Sequence, residues 1–193
     1  MSRVMRAAGR ARSRAKRSER GAALVEAAIL MPLVLLLVFG ALEFSSMYRD
    51  ASQVSSAARA GGRIASAEPR VGTMPVHAAN AVAAALSGLP SQEPQEVWVF
   101  DATNSSTAPA GCGGSCVKFT WNSATKQFNT GGYTPPSWVL TQNACPTGTW
   151  AKVGVYVHVK YSYLTGLFGH AGRDLTSTAV FRVEPLGSAT CGS

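Results

Sequence analysis

One apolar run limits what this chain can become. From Ala22 to Phe44, 23 residues pass with Glu26 and Glu43 as the only charges. At ~1.5 Å per residue a helix of that length spans ~35 Å, enough to cross a bilayer. Between the two glutamates the uncharged stretch Ala27 to Leu42 is 16 residues, slightly short for a span. Snorkelling or pairing at both ends makes up the difference. A carboxylate at the start of a membrane-length segment is expensive, so Glu26 needs a physical reason. Pro32 lies inside the run, removes the hydrogen bond to the Ala28 carbonyl and is expected to kink the helix.

The charge is arranged around this run. The formal net charge is +8, which on its own points towards nucleic acid. Residues 1–20 hold eight arginines and lysines against Glu19, a net +7, and the remainder is close to neutral. That one-sided excess is the positive-inside pattern. It places the N-terminus in the cytoplasm and the C-terminal domain on the other side of the membrane. The leader has no aromatic residue to stack on bases, so no nucleic-acid partner is expected.

Beyond the run the apolar period becomes one helix face: Met47, Ala51, Val54, Ala58, Gly61 and Ala65, at steps of 4, 3, 4, 3 and 4. Arg49, Asp50, Gln53, Arg59 and Arg63 are expected on the remaining surface. The spacing predicts one helix over about 19–66, stopped at Glu68-Pro69. Its small-residue stripe packs closely on the chain's own domain. A second, alanine-rich helix is expected over 75–86, closed by Gly88 and Pro90. The period then changes to two. Strands are expected over 96–100, 116–121, 150–163 and 175–183. In the third of these, Val153, Val155, Val157, Val159 and Tyr161 form the face to be buried. Residues 122–143, with Gly131-Gly132 and Pro135-Pro136, read as a long exposed connection. The expected segments are a basic leader (1–21), a transmembrane segment (22–44), an amphipathic stem (45–68), an exported α+β domain (69–186) and a polar tail (187–193). The fold class is α+β: a long N-terminal transmembrane helix continuing into a stem packed on a small antiparallel sheet.

All four cysteines, Cys112, Cys116, Cys145 and Cys191, lie beyond the stem. An exported domain in an oxidising space is expected to hold at least one disulfide among them. Four cysteines allow three pairings, and Cys191 in the tail is the expected odd one. Zinc is not expected, because Cys112 and Cys116 have no second close Cys/His pair. No metal, cofactor or catalytic motif is expected: there is no HExxH, no GxSxG and no glycine-rich phosphate loop. His77, His158 and His170 are scattered. Asn104-Ser105-Ser106 matches a glycosylation sequon. Trp98, Trp121, Trp138 and Trp150 suit either a small core or a sugar-binding face.

The stretch Arg20-Gly-Ala-Ala-Leu-Val-Glu26-Ala-Ala-Ile-Leu-Met-Pro32, with Phe39-Gly-Ala-Leu-Glu-Phe44 and Ala57-Ala-Arg-Ala-Gly-Gly-Arg63, resembles the TadE-like family. These are pilin-like proteins of the bacterial tight-adherence (Flp) pilus system. Val153 to Tyr161, Leu164 to Gly169 and Ala179 to Pro185 resemble the longer, actinobacterial-type members. The resemblance implies a minor pilin or pseudopilin, not an enzyme. Its implied partners are the membrane, other pilin-like subunits, the pilus assembly platform and a prepilin peptidase. It implies a processing junction at Gly21, Ala22 and Glu26. The chain departs from the pilin pattern at Ala27, where an aromatic residue commonly follows the glutamate. That departure leaves a competing class: an uncleaved single-span anchor carrying an exported ligand-binding domain.

Overall fold

The computed structural model describes residues 2–88, 92–166, 169, 172–187 and 191, with side chains described from Gly21 onward except that of Gln92. Pro90, His170, much of the 164–172 connection, most of the 187–193 tail and the side chains of the basic leader lie outside these residues. Helix α1 covers Ser2–Ala67, with Pro32 inside it. The helix therefore starts earlier than the apolar periodicity indicated. Two compact units divide the chain, Met1–Phe44 and Ser45–Ser193.

The second unit contains the C-terminal part of α1, then α2 (Met74–Leu86), β1 (Gln92–Asp101), β2 (Cys116–Asn122), β3 (Gln127–Phe128), α3 (Ser137–Leu140), β4 (Lys152–Tyr161) and β5 (Arg173–Arg182). The five strands form an antiparallel sheet in the order β3-β2-β1-β4-β5. Pro94 in β1 sits where the β1–β4 register shifts, a bulge at which a missing N–H costs no ladder bond. Valines 153, 155, 157 and 159 and Tyr161 are all fully buried, as their alternation requires. Each valine contributes about 1.5–3 kcal/mol relative to an exposed position.

The stem stripe forms the opposite wall of this core, with Val54, Ala58 and Ala65 buried beside Ala78, Ala79 and Val82 of α2. At Gly61 the helix approaches both α2 and β4 closely. A Cβ there would lie 2.6 Å from Val82 Cγ2, 3.1 Å from the Ala78 carbonyl oxygen and 3.3 Å from Val155 Cγ1. Only glycine lets three elements meet at that spacing.

One expectation is corrected and one is refined. Asp50, placed on the polar surface from its residue type, is fully buried. It lies four residues before Val54 and seven before Ala57, which is also buried, so the packed face of α1 is wider than the apolar stripe. Arg49 Nε lies 3.5 Å from Asp50 Oδ1, and neither carboxylate oxygen has a hydrogen-bond partner among the described residues. The 122–143 segment is exposed over much of its length, as expected, but it is also anchored on the core. Trp121 and Phe128 pair edge to face across a hairpin, Val139 is fully buried, and the Tyr133 hydroxyl donates to the Gly72 carbonyl at 3.0 Å. The aromatic residues between its glycines and prolines pin this segment onto the core.

Candidate functional site

The first unit presents an apolar helix with no cover of its own. The most hydropathic window of Gly21–Ala67 has mean hydropathy 2.6 and no buried residue among the described ones, and the helix is long and apolar enough to cross a membrane. Leu24 and Ile29 are each 71% exposed and Phe44 is 68% exposed. More than a dozen large apolar side chains, roughly half exposed, amount to an order of 10–20 kcal/mol of unrealised burial at ~25 cal/mol per Å². That exceeds or matches the whole stability of a typical domain, so this surface requires an apolar surrounding.

The sequence-predicted junction lies on this helix. Gly21, Ala22 and Glu26 are all exposed. A Cβ on Gly21 would meet nothing within 4 Å, so no packing within the chain requires glycine there. Glu26 follows Ala22 by four residues, about one turn and ~6 Å along the axis. At the far end of the run, Glu43 is 3% exposed and partnered.

The cysteines form two disulfides, Cys112–Cys116 and Cys145–Cys191. Cys191, expected to be left over, is therefore paired. The reason is a long-range contact: Leu186 N donates to the Ala144 carbonyl at 2.9 Å and brings the tail beside Cys145. No free cysteine occurs among the described residues. No group of three metal-ligating side chains occurs among them either.

His77 and His158, the two described histidines, are not brought together. His77 Nδ1 meets Glu68 Oε2 at 2.7 Å on the surface. His158 stands between two carboxylates, with Nε2 3.1 Å from Asp174 Oδ1 and Nδ1 3.8 Å from Glu96 Oε1. Glu96 also pairs with Lys118. This row crosses β2, β1, β4 and β5 on the sheet face away from the valines, and acts as a set of cross-strand polar pairs. Beside it Trp98 and Tyr156 stack at 4.8 Å, and Lys118 Nζ lies 5.8 Å from the Trp98 ring. Burial, then Glu96 and Asp174, pushes the Tyr156 phenol above its ordinary value. In the sequence, Glu96, Lys118 and His158 fell in three separate expected strands and Asp174 just outside the fourth. Their convergence depends on strand register, which no local pattern states.

Comparison with known proteins gives one match: the family model described as TadE-like protein matches residues 21–63. The matched stretch contains the exposed apolar helix, Glu26 and the Gly61 contact. No curated protein and no solved structure matches the chain.

Proposed function

We propose that this chain is a minor pilin- or pseudopilin-like membrane protein that takes part in assembling or anchoring a tight-adherence (Flp-type) pilus. The observation that carries the reading is the uncovered apolar helix, with the TadE-like match lying along it. In this reading residues 1–20 are cytoplasmic and the second unit is exported, as the +7 leader requires. A prepilin peptidase cuts after Gly21, where the absent side chain leaves the backbone open to the protease. Removing the leader removes the charge that resists extraction from the membrane. Glu26 then lies one turn from the new amine of Ala22. A carboxylate in an apolar bundle is costly unless paired, and the amine of a neighbouring subunit offsets that cost. Glu26 thereby sets the register of one subunit on the next. Pro32 kinks the helix, and neighbouring helices satisfy the freed carbonyl.

The test is N-terminal sequencing of the mature protein, with co-isolation of other pilin subunits. Ala22 is expected as the first residue. Gly21→Leu is expected to leave the leader attached, and Glu26→Ala to keep membrane insertion while losing co-isolation. A mature chain beginning near Met1, with Glu26→Ala silent, overturns the pilin reading in favour of a permanent anchor carrying a binding domain. Reporter fusions after Ser66 check the orientation, and a fusion active only in the cytoplasm sinks it.

A further inference from the structure

Two contacts fix the sense in which α1 runs along the sheet. Glu184 N donates to the Ser66 carbonyl at 2.8 Å and Val183 N to the Ala151 carbonyl at 3.1 Å, so Ser66 lies beside the start of β4. A Cβ on Gly61 would lie 3.3 Å from Val155 Cγ1, further along the strand. Followed back towards Ser45, the helix therefore runs towards the Tyr161 end of β4. Gly61 to Ser45 is ~24 Å of helix at ~1.5 Å per residue, and Val155 to Tyr161 is ~20 Å of strand at ~3.3 Å per residue. The lengths agree to about one helical turn, so Ser45 and the chain leaving β4 share one end of the unit. Ser45 is bonded to Phe44, where the apolar run stops. We infer that this end of the second unit is a membrane contact in its own right, with Tyr48 and Leu164 seated in the interfacial layer of the bilayer. The inference rests on α1 as a membrane span and on no part of the pilus reading.

Exposure singles out these two side chains. Past the apolar run, the large apolar residues left exposed among the described ones are Tyr48, Ile64, Val71, Leu140 and Leu164. Tyr48 at 73% and Leu164 at 58% are the most exposed of them, and both lie at the Ser45 end. Ile64 and Val71 flank the other end of α1, and Leu140 lies against Gly72 next to Val71. Scattered single apolar residues need no explanation. Tyr48 and Leu164 are not scattered. They come from different elements, α1 and the chain after β4, and meet at the level where the chain enters the span.

Charge does not choose the occupant. Lys160 stands opposite Glu93 on one side and Asp174 on the other in the strand registers, and Arg49 Nε lies 3.5 Å from Asp50. Arg173, opposite Tyr161, adds only a weak bias towards anionic headgroups. The interfacial layer fits without an ion pair. It takes a leucine side chain at its apolar boundary and the amphipathic ring of tyrosine at headgroup level. A second protein subunit would have to reach this edge through space that lipid around the apolar helix already fills.

The contact is prepared in advance. Tyr161 is fully buried, and the Tyr163 ring packs edge-on against it with centroids 5.7 Å apart. Leu164 is thus carried by an anchored neighbour, which reduces the ordering cost of inserting it. Tyr48 sits on a continuous helix, one turn past the apolar run. The span alone would leave the second unit free to turn about the helix axis. A contact on a second element, off that axis, fixes which side of the unit faces the bilayer.

The test uses the full chain in phosphatidylcholine nanodiscs. No free cysteine occurs among the described residues, so one added thiol can be spin-labelled selectively. Collisions of the label with oxygen and with a water-soluble nickel chelate report its depth. Val34→Cys, in the span, is expected deep in hydrocarbon, and Ala110→Cys, in the exposed β1–β2 connection, in water. Leu164→Cys and Thr165→Cys are expected at the interface, with the Leu164→Cys label about 5–10 Å into the headgroup and acyl boundary. Both positions are exposed, so the variants keep the parent's melting temperature. Adding Leu164→Asp and Tyr48→Asp should move the Thr165→Cys label out into water, while the Val34→Cys label stays deep. Labels at 164 and 165 as open to nickel as the one at 110, with the label at 34 deep, overturn the inference and leave the span standing. A label at 34 in water overturns the span itself. Contact that survives both aspartates, or that appears only when phosphatidylglycerol is added, also overturns it, since Tyr48 and Leu164 would not then carry it. None of these readouts passes through pilus assembly.

Discussion

Replacing Gly61 with alanine adds one methyl group where α1, α2 and β4 meet in the core. In an open helix the change would stabilise by about 1 kcal/mol, because alanine has the better helix propensity. Here the new carbon would lie 2.6 Å from Val82 Cγ2 and 3.1 Å from a backbone oxygen of α2. Val82 is fully buried and β-branched, so it has little freedom to turn away. Overpacking of this kind costs about 1–3 kcal/mol, and a clash that includes backbone belongs at the top of that range. The net expectation is a loss of about 2 kcal/mol. For a unit of about 150 residues, each kcal/mol moves the melting temperature by about 2–4 °C, so Gly61→Ala should lower it by about 4–8 °C. Gly62→Ala is the internal comparison. Its Cβ would meet the Phe181 ring at 2.5 Å, but Phe181 lies on the edge strand β5, is only partly buried and can swing outward. Its effect should stay within about 1 kcal/mol. The assay is thermal unfolding of the full chain in micelles, followed by near-UV dichroism. A Gly61→Ala variant as stable as the parent, or a larger loss at Gly62, would refute the three-way contact.

Three further outcomes are expected. Asp50→Asn keeps the shape of a buried carboxyl group that no hydrogen bond supports, and should hold or raise the melting temperature; a fall of several degrees would show that its contact with Arg49 Nε at 3.5 Å outweighs the cost of burial. Chain-entropy arithmetic assigns about 4 kcal/mol to Cys145–Cys191, with a sequence separation of 46, and about 2 kcal/mol to Cys112–Cys116, with a separation of 4. Denaturant titration of the Cys145→Ala/Cys191→Ala and Cys112→Ala/Cys116→Ala pairs should return that order. Burial raises the phenol pKa of Tyr133 and Tyr156 above 10.0, so the folded state holds these protons after the unfolded chain has lost them. Their contribution is complete below pH 10 and is lost as pH rises through the folded values; melting temperatures across that range should fall less steeply in Tyr133→Phe/Tyr156→Phe.

The parts of the fold that are periodic were legible in the residues. Val153 to Tyr161 alternates without a break, and Val54, Ala58, Gly61 and Ala65 keep helical spacing, so both walls of the core could be named in advance. The membrane-length run and its glutamate were legible because composition alone defines them. Asp50 was misplaced because residue type was weighed above its position on the helix. The anchors of the 122–143 segment were missed because Trp121, Phe128, Trp138 and Val139 are separated by turn residues and follow no period. The row of Lys118, Glu96, His158 and Asp174 was illegible for a different reason, since only the β1–β2, β1–β4 and β4–β5 registers bring it together. Cysteine pairing had the same limit, since it hangs on one backbone bond between Leu186 and Ala144.

The Cys145–Cys191 bond also encloses β4 and β5 in a covalent ring. Under tension such a ring acts as a fuse that cannot lengthen. If the ends of the second unit are pulled apart, the force passes through the sulfur bridge and bypasses the hairpin. The 46-residue separation then stores about 150 Å of chain that unfolding alone cannot release. A reductant would free that length. A single-molecule extension trace should therefore gain a further step of about that length only after the disulfide is opened, and until then the enclosed residues 146–190 add nothing to the extension.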